Sequence, residues 1–130
     1  MPVPVGEAFP AIERAAIDKA IRDAETVSRF EFSVYVGAFD GEARPFAERL
    51  HAAQIAPTRS VLVAVDPAAR IMEVVTGSDV RRRLDDATVR LDTLAMQSAF
   101  AIGDLAGGIA RGVAQLGEHA RAPRVLHADG

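Results

Sequence analysis

SVLVAVDPAARIMEVVTG, residues 60–77, decides the fold. Two apolar runs, Ser60–Val65 and Ile71–Thr76, are joined by Asp66-Pro67-Ala68-Ala69-Arg70. Both are dominated by Val, Leu, Ile and Met and are too short for core helices, so they read as the strands of a hairpin. Val61-Leu62-Val63-Ala64-Val65 is apolar on both faces, which places it at the centre of a sheet. Its partner Ile71–Thr76 lies antiparallel on one side. The open end of the hairpin, at Thr76-Gly77, runs into the most charged segment of the chain, Ser78–Asp86.

Upstream, Phe30–Gly37 alternates Phe30, Phe32, Val34 and Val36 against Glu31, Ser33 and Tyr35, the period of a strand. A helix from Ala43 to Gln54, with Phe46, Leu50 and Ala53 inward, separates it from Val61–Val65. A strand, a helix and a strand make a right-handed crossover, so these two strands are parallel. A first helix, Ala11–Ser28, follows Pro10 and turns Ile12, Ile17, Ile21, Ala24 and Ser28 to the core. Asp18–Arg22 and Glu25–Arg29 on its outer face are acid-before-base pairs, worth about 0.3–0.5 kcal/mol each.

Downstream, Asp85 or Asp86 is suited to cap a long helix, because a carboxylate there meets unpaired N–H groups and the positive dipole end. Leu91, Leu94, Ala95, Ser98 and Ile102 form its expected inner stripe. Gly103 stops it and Asp104 caps the last helix, which turns Leu105, Ile109, Val113 and Leu116 inward. Gly108 and Gly112 on that helix cost about 1 kcal/mol each relative to Ala, which close approach to a neighbouring element would offset. The expected fold is α/β: a three-layer sandwich in which a small mixed sheet carries helices on both faces. Residues 1–120 form one domain and 121–130 a tail.

The totals narrow the function classes. A chain of 130 residues that is 49% hydrophobic and 25% charged buries an ordinary core. With no Cys, disulfides, thiolate zinc sites and Cys nucleophiles are excluded. MPVPVGEAF has neither a basic n-region nor an apolar h-region, so no signal peptide is expected, and a cytoplasmic location is. The longest apolar tract, Ala95–Ala110, is broken by Gln97, Gly103 and Asp104, so no direct membrane insertion is expected. A net charge of −3 argues against nucleic acid as a partner.

The order of the pieces carries a resemblance: helix, strand, helix, VLVAVD, RIMEVVTG, a charged segment with Asp85-Asp86, then two helices joined by GDLAGGIARGV. This arrangement, over roughly Ile12 to Ala120, resembles the TPM domain family, and most closely its actinobacterial branch of unknown function. The resemblance implies helices on both sheet faces, in agreement with the reading above. Some TPM members are calcium-binding acid phosphatases, and many serve assembly or quality control. The family's metal site draws on an early Val-x-Asp, an Asp-Asn-Gly entering the central strand and an Asp after the Thr-Gly turn. Here the early segment is Val3-Pro4-Val5-Gly6 and the strand entry is Thr58-Arg59-Ser60, so only Asp79, Asp85 and Asp86 remain as candidate metal ligands. Calcium takes six to eight oxygens, and Arg59 brings positive charge to the position of the Asn.

Topology brings the start of the second strand and the end of the third to one end of the sheet. Thr58, Arg59, Thr76, Gly77, Ser78, Arg81 and Arg82 there are the candidate ligand-binding residues, with guanidinium and hydroxyl groups suited to an anion. The simpler reading has the Arg81–Arg83 run diverging and pairing with Asp79, Asp85 and Asp86. His51, His119 and His127 share no metal spacing, and no serine sits in a nucleophile elbow, so no catalytic residue is assigned. The expected function is a non-catalytic interaction or assembly module with a degenerate metal site and a protein partner. A calcium-dependent phosphatase and an anion-binding protein are the alternatives. An exposed apolar patch on the two C-terminal helices would favour the interaction module.

Overall fold

The computed structural model describes residues 9–123. Helix α1 (Ala11–Ser28) leads into strand β1 (Glu31–Val36), and helix α2 (Ala43–Ala52) into a 3-10 turn at Pro57–Arg59. The hairpin β2 (Ser60–Asp66) and β3 (Ile71–Thr76) follows, then a second 3-10 turn at Val80–Arg82 and helices α3 (Asp86–Ala101) and α4 (Leu105–His119). The strand order is β1-β2-β3, with β1 parallel and β3 antiparallel to β2. Every residue of β2 is buried, as an apolar central strand requires. Strand alternation then builds two cores. Val61, Val63 and Val65 join Phe32, Val36 and Val74 in the core shared with α1, α3 and α4. Leu62, Ala64 and Val75 pack with Ala47 and Leu50 of α2 on the opposite face. The α/β architecture with its mixed sheet is as expected.

Local chemistry sets the boundaries. The Asp66 carboxylate accepts from Ala69 N–H at 3.1 Å and from Phe39 N–H at 3.2 Å, which fastens the hairpin turn to the β1–α2 loop. Asp85 caps α3 by accepting from Thr88 N–H at 2.8 Å, and Asp104 caps α4 by accepting from Gly107 N–H at 3.2 Å. Helix α4 lies close to two neighbours. A Cβ on Gly112 would fall 2.1 Å from Met96 Sδ of α3, and one on Gly117 would fall 2.6 Å from Ala24 Cα of α1.

Several side chains point elsewhere than their spacing predicts. Helix α3 is rotated by about a third of a turn: Val89, Asp92, Met96 and Ala99 are its buried residues. Leu91, Leu94 and Ile102 are 68%, 58% and 82% exposed, and Ala95 and Ser98 are exposed with them. The physical reason lies on α4. The Asp92 carboxylate bonds His119 Nδ1 at 2.8 Å, and the slim side chain of Ala99 and flexible Met96 fit against Gly108 and Gly112. At the start of α1, Ile12 is exposed instead of joining Ile17 and Ala24 in the core. Neither pair anticipated on α1 forms an ion pair: Lys19 bonds Asp23 at 2.5 Å, and Glu25 accepts from Phe32 N–H at 3.0 Å. On α2 the buried residues are Ala47 and His51, while Ala53 is exposed.

Candidate functional site

The loops around Thr76-Gly77 meet as the topology predicts. Gly77 N–H donates to Ser60 O and Asp79 N–H to Thr58 O, both at 2.9 Å. Thr58, Thr76, Gly77, Ser78 and Arg81 line one cavity of about 260 Å³, joined by Glu48 and His51 from α2. Arg59 and Arg82 do not line it. His51 is 8% exposed. Its Nε2 lies 2.9 Å from Ser60 O, a carbonyl that can only accept, so Nε2 donates this bond. The volume falls below the ordinary range of ligand sites, roughly 300–1,000 Å³.

The arginines near this cavity diverge, but not toward the acids. Arg81 Nη1 donates to Thr76 O. Arg59 Nη2 donates to Arg29 O at 2.9 Å, and Arg83 Nη1 donates to Ser28 O and Ala120 O at 3.0 Å each. Arg59 and Arg83 also sit over the Phe30 ring, 5.0 and 4.0 Å from its centroid. These two guanidiniums bind the carbonyl-rich ends of α1 and α4, where the helix dipole favours a cation. Burial, followed by the nearby Arg59 charge, lowers the Arg83 pKa. Only Arg82 approaches an acid, at 3.8 Å from Asp79.

The three candidate metal ligands have separate tasks. Asp79 faces Arg82, Asp85 caps α3 and Asp86 lines a different cavity. Among the described residues, no three His, Cys, Asp or Glu side chains are grouped to hold a metal ion.

Two larger cavities lie along the outer side of β3. One, of about 470 Å³, runs between Arg44 of α2 and Val89, Thr93 and Leu94 of α3. The other, of about 570 Å³, continues past Phe100 to Pro67, Arg70 and Leu105. Met72 and Gln97 line both, so the two form one groove. It opens beside the exposed apolar stripe of α3 through Leu94. Spacing alone does not find this groove, because its residues come from α2, β3, the hairpin turn and α3. A signal was present: Thr93–Ile102 contains no charged residue although most of it is exposed.

The fold is shared with solved structures. BA42 from Bizionia argentinensis superposes with a TM-score of 0.78 at 22% identity, over 88% of this chain and 83% of that one. The N-terminal domain of cg2496 from Corynebacterium glutamicum gives 0.73 at 18% identity, over 86% and 74%. At sequence level, uncharacterized proteins from two Mycobacterium tuberculosis strains are 31% identical over 101 residues, which is 78% of this chain. The chain spans 60% of the length of these relatives. A family model covers far more, matching residues 2–117. With sheet order, capping and the paired C-terminal helices already placed, that match assigns the chain to the family described as Domain of unknown function (DUF5130).

Proposed function

We propose that this chain is a TPM-like interaction module, acting in the cytoplasm, that binds a partner protein through α3 and the groove beside β3. One observation carries the reading: Leu91, Leu94 and Ile102 are exposed at helical spacing on a helix that already has a buried face. Large apolar side chains gathered on one solvent face favour burial against another surface. Support also comes from the smaller cavity, whose one guanidinium is already bonded to Thr76 O and whose hydroxyls make no hydrogen bond to His51 or Glu48 among the described residues. No described helix is long and apolar enough to cross a membrane.

The test is site-specific photo-crosslinking in the native host. A photoreactive residue at Leu91 or Ile102 is expected to trap one discrete protein adduct, and the same residue at Glu13 on α1 to trap none. Absence of an adduct from both α3 positions overturns the proposal.

A further inference from the structure

Ala87, Leu91, Leu94, Ser98 and Ala101 of α3 are all exposed, and they follow one another at spacings of four, three, four and three. Alternation of that kind is the repeat by which two helices interlock their side chains along a seam. The core of this molecule already takes a different face of α3, through Val89, Asp92, Met96 and Ala99. Ala95 and Ile102 flank the seam on one side, and Arg90 and Gln97 flank it on the other; all four are exposed. From Leu91 to Ile102 no exposed residue is charged.

Side-chain size along the seam is asymmetric. The large residues, Leu91 and Leu94, come first, and the small ones, Ser98 and Ala101, come last. An antiparallel copy of the same helix, related by a two-fold axis level with Met96, sets Leu91 against Ala101 and Leu94 against Ser98. Each layer then holds one large and one small residue, which fills the space evenly. A parallel copy would set Leu on Leu in two layers and leave Ser98 and Ala101 facing their own copies across gaps. The face is therefore complementary to itself, in one direction only. Polar groups agree. Gln97 meets Gln97 beside the axis, where an amide can pair with its own copy because it both donates and accepts. Arg90 comes level with the carbonyl end of the other α3, a position that favours a cation and where the helix has no basic residue of its own in the last turn.

We propose, resting on the interaction reading above, that the partner seated on α3 is a second copy of this chain, docked antiparallel along the Ala87–Ala101 seam. An unrelated helix would need small residues opposite Leu91 and Leu94 and large ones opposite Ser98 and Ala101; this chain already carries that pattern. Size sets the strength. The seam is about 21 Å long at helical rise and about 10 Å wide, so each copy contributes roughly a few hundred Å². A standard stable interface takes about 800 Å² from each partner. The pairing is accordingly a weak, reversible dimer, with a dissociation constant expected near about 100 μM.

The test is sedimentation equilibrium of the whole chain from about 10 μM to about 1 mM, joined to disulfide trapping. The mass is expected to rise from 13.8 kDa toward twice that value, and Leu94→Glu is expected to remain monomeric at about 1 mM with its thermal midpoint retained. Trapping is clean because the chain has no Cys of its own. An equal mixture of Leu94→Cys and Ser98→Cys chains is expected to form the mixed disulfide at least about tenfold faster than either variant links to itself, since only facing residues come within bonding reach. A chain that stays monomeric at about 1 mM overturns the proposal. So does a dimer that survives Leu94→Glu, which would lie on another face, or a Leu94→Cys chain that links to itself as fast as to Ser98→Cys, which would be parallel. Should the second copy fail while Leu91 and Ile102 still trap a different protein in the host, the interaction reading stands without it; absence of both dimer and adducts removes the two together.

Discussion

Gly77 shows how closely two loops approach at the small cavity. A Cβ there would lie 2.1 Å from Pro57 O and 2.4 Å from both C and O of Thr58. The obstruction is backbone, so no side chain can rotate out of the way. Gly77→Ala must therefore separate the β2 entry from the β3 exit, at an expected cost of about 3 kcal/mol, the upper end for overpacking. Thermal unfolding should register this as a midpoint lower by roughly 10 °C. A change under about 2 °C would mean that the loops are not in contact. Asp85 gives a pH-dependent case. Its bonds from the Thr88 N–H, then the Thr88 hydroxyl, hold its pKa below the usual carboxylate value. A depressed folded-state pKa contributes stability that is complete above the unfolded value near 3.9 and is lost as pH falls through the folded value. The midpoint difference between the native chain and Asp85→Ala should be constant at neutral pH and narrow below about pH 4. A difference independent of pH would remove the carboxylate from the cap.

At the level of elements, the hairpin, the crossover and both aspartate caps were legible in sequence because each rests on local spacing. The orientation of α3 was not. It has two competing stripes, and the more apolar one, Leu91-Leu94-Ala95-Ser98-Ile102, faces out. The buried stripe contains an aspartate, and only its bond to His119 on another helix makes that tolerable. No local pattern announces such a partner. The same holds for the arginines. Sequence brings Arg59 and Arg81–Arg83 together, whereas Arg59 and Arg83 reach carbonyls of helix ends distant along the chain, and Arg81 and Arg82 stay with Thr76 O and Asp79 nearby. Of the residues expected to bind ligand, those at the ends of the hairpin strands converge, because strand pairing alone places them. The exposed stripe makes a direct prediction. Leu91→Glu with Ile102→Glu should change stability by no more than about 0.5 kcal/mol per site and abolish photo-crosslinking from Leu94. If those side chains were inward, the loss would be several kcal/mol, as for truncation of buried residues, roughly 2–5 each.

For the molecule as a whole, calcium separates a binding module from a metal enzyme. An ion at about 100-fold excess over its dissociation constant adds roughly 2.7 kcal/mol to the folded state. Since Asp79, Asp85 and Asp86 point to Arg82, the α3 cap and the β3 groove respectively, no calcium-specific rise in the unfolding midpoint is expected. A rise lost on Asp86→Ala would restore the metal-dependent reading. The packing of α4 on α1 has a consequence of a different kind. The Gly117–Ala24 approach and the Arg83 clamp join α1 to α4, the first and last of the described helices. During synthesis, Ile17 and Ala24 emerge long before Leu116, their neighbour in the finished core. A ribosome-bound chain with its hairpin complete still leaves that apolar face without α4 to cover it, so the interval before α4 emerges is when this protein is most open to misassembly.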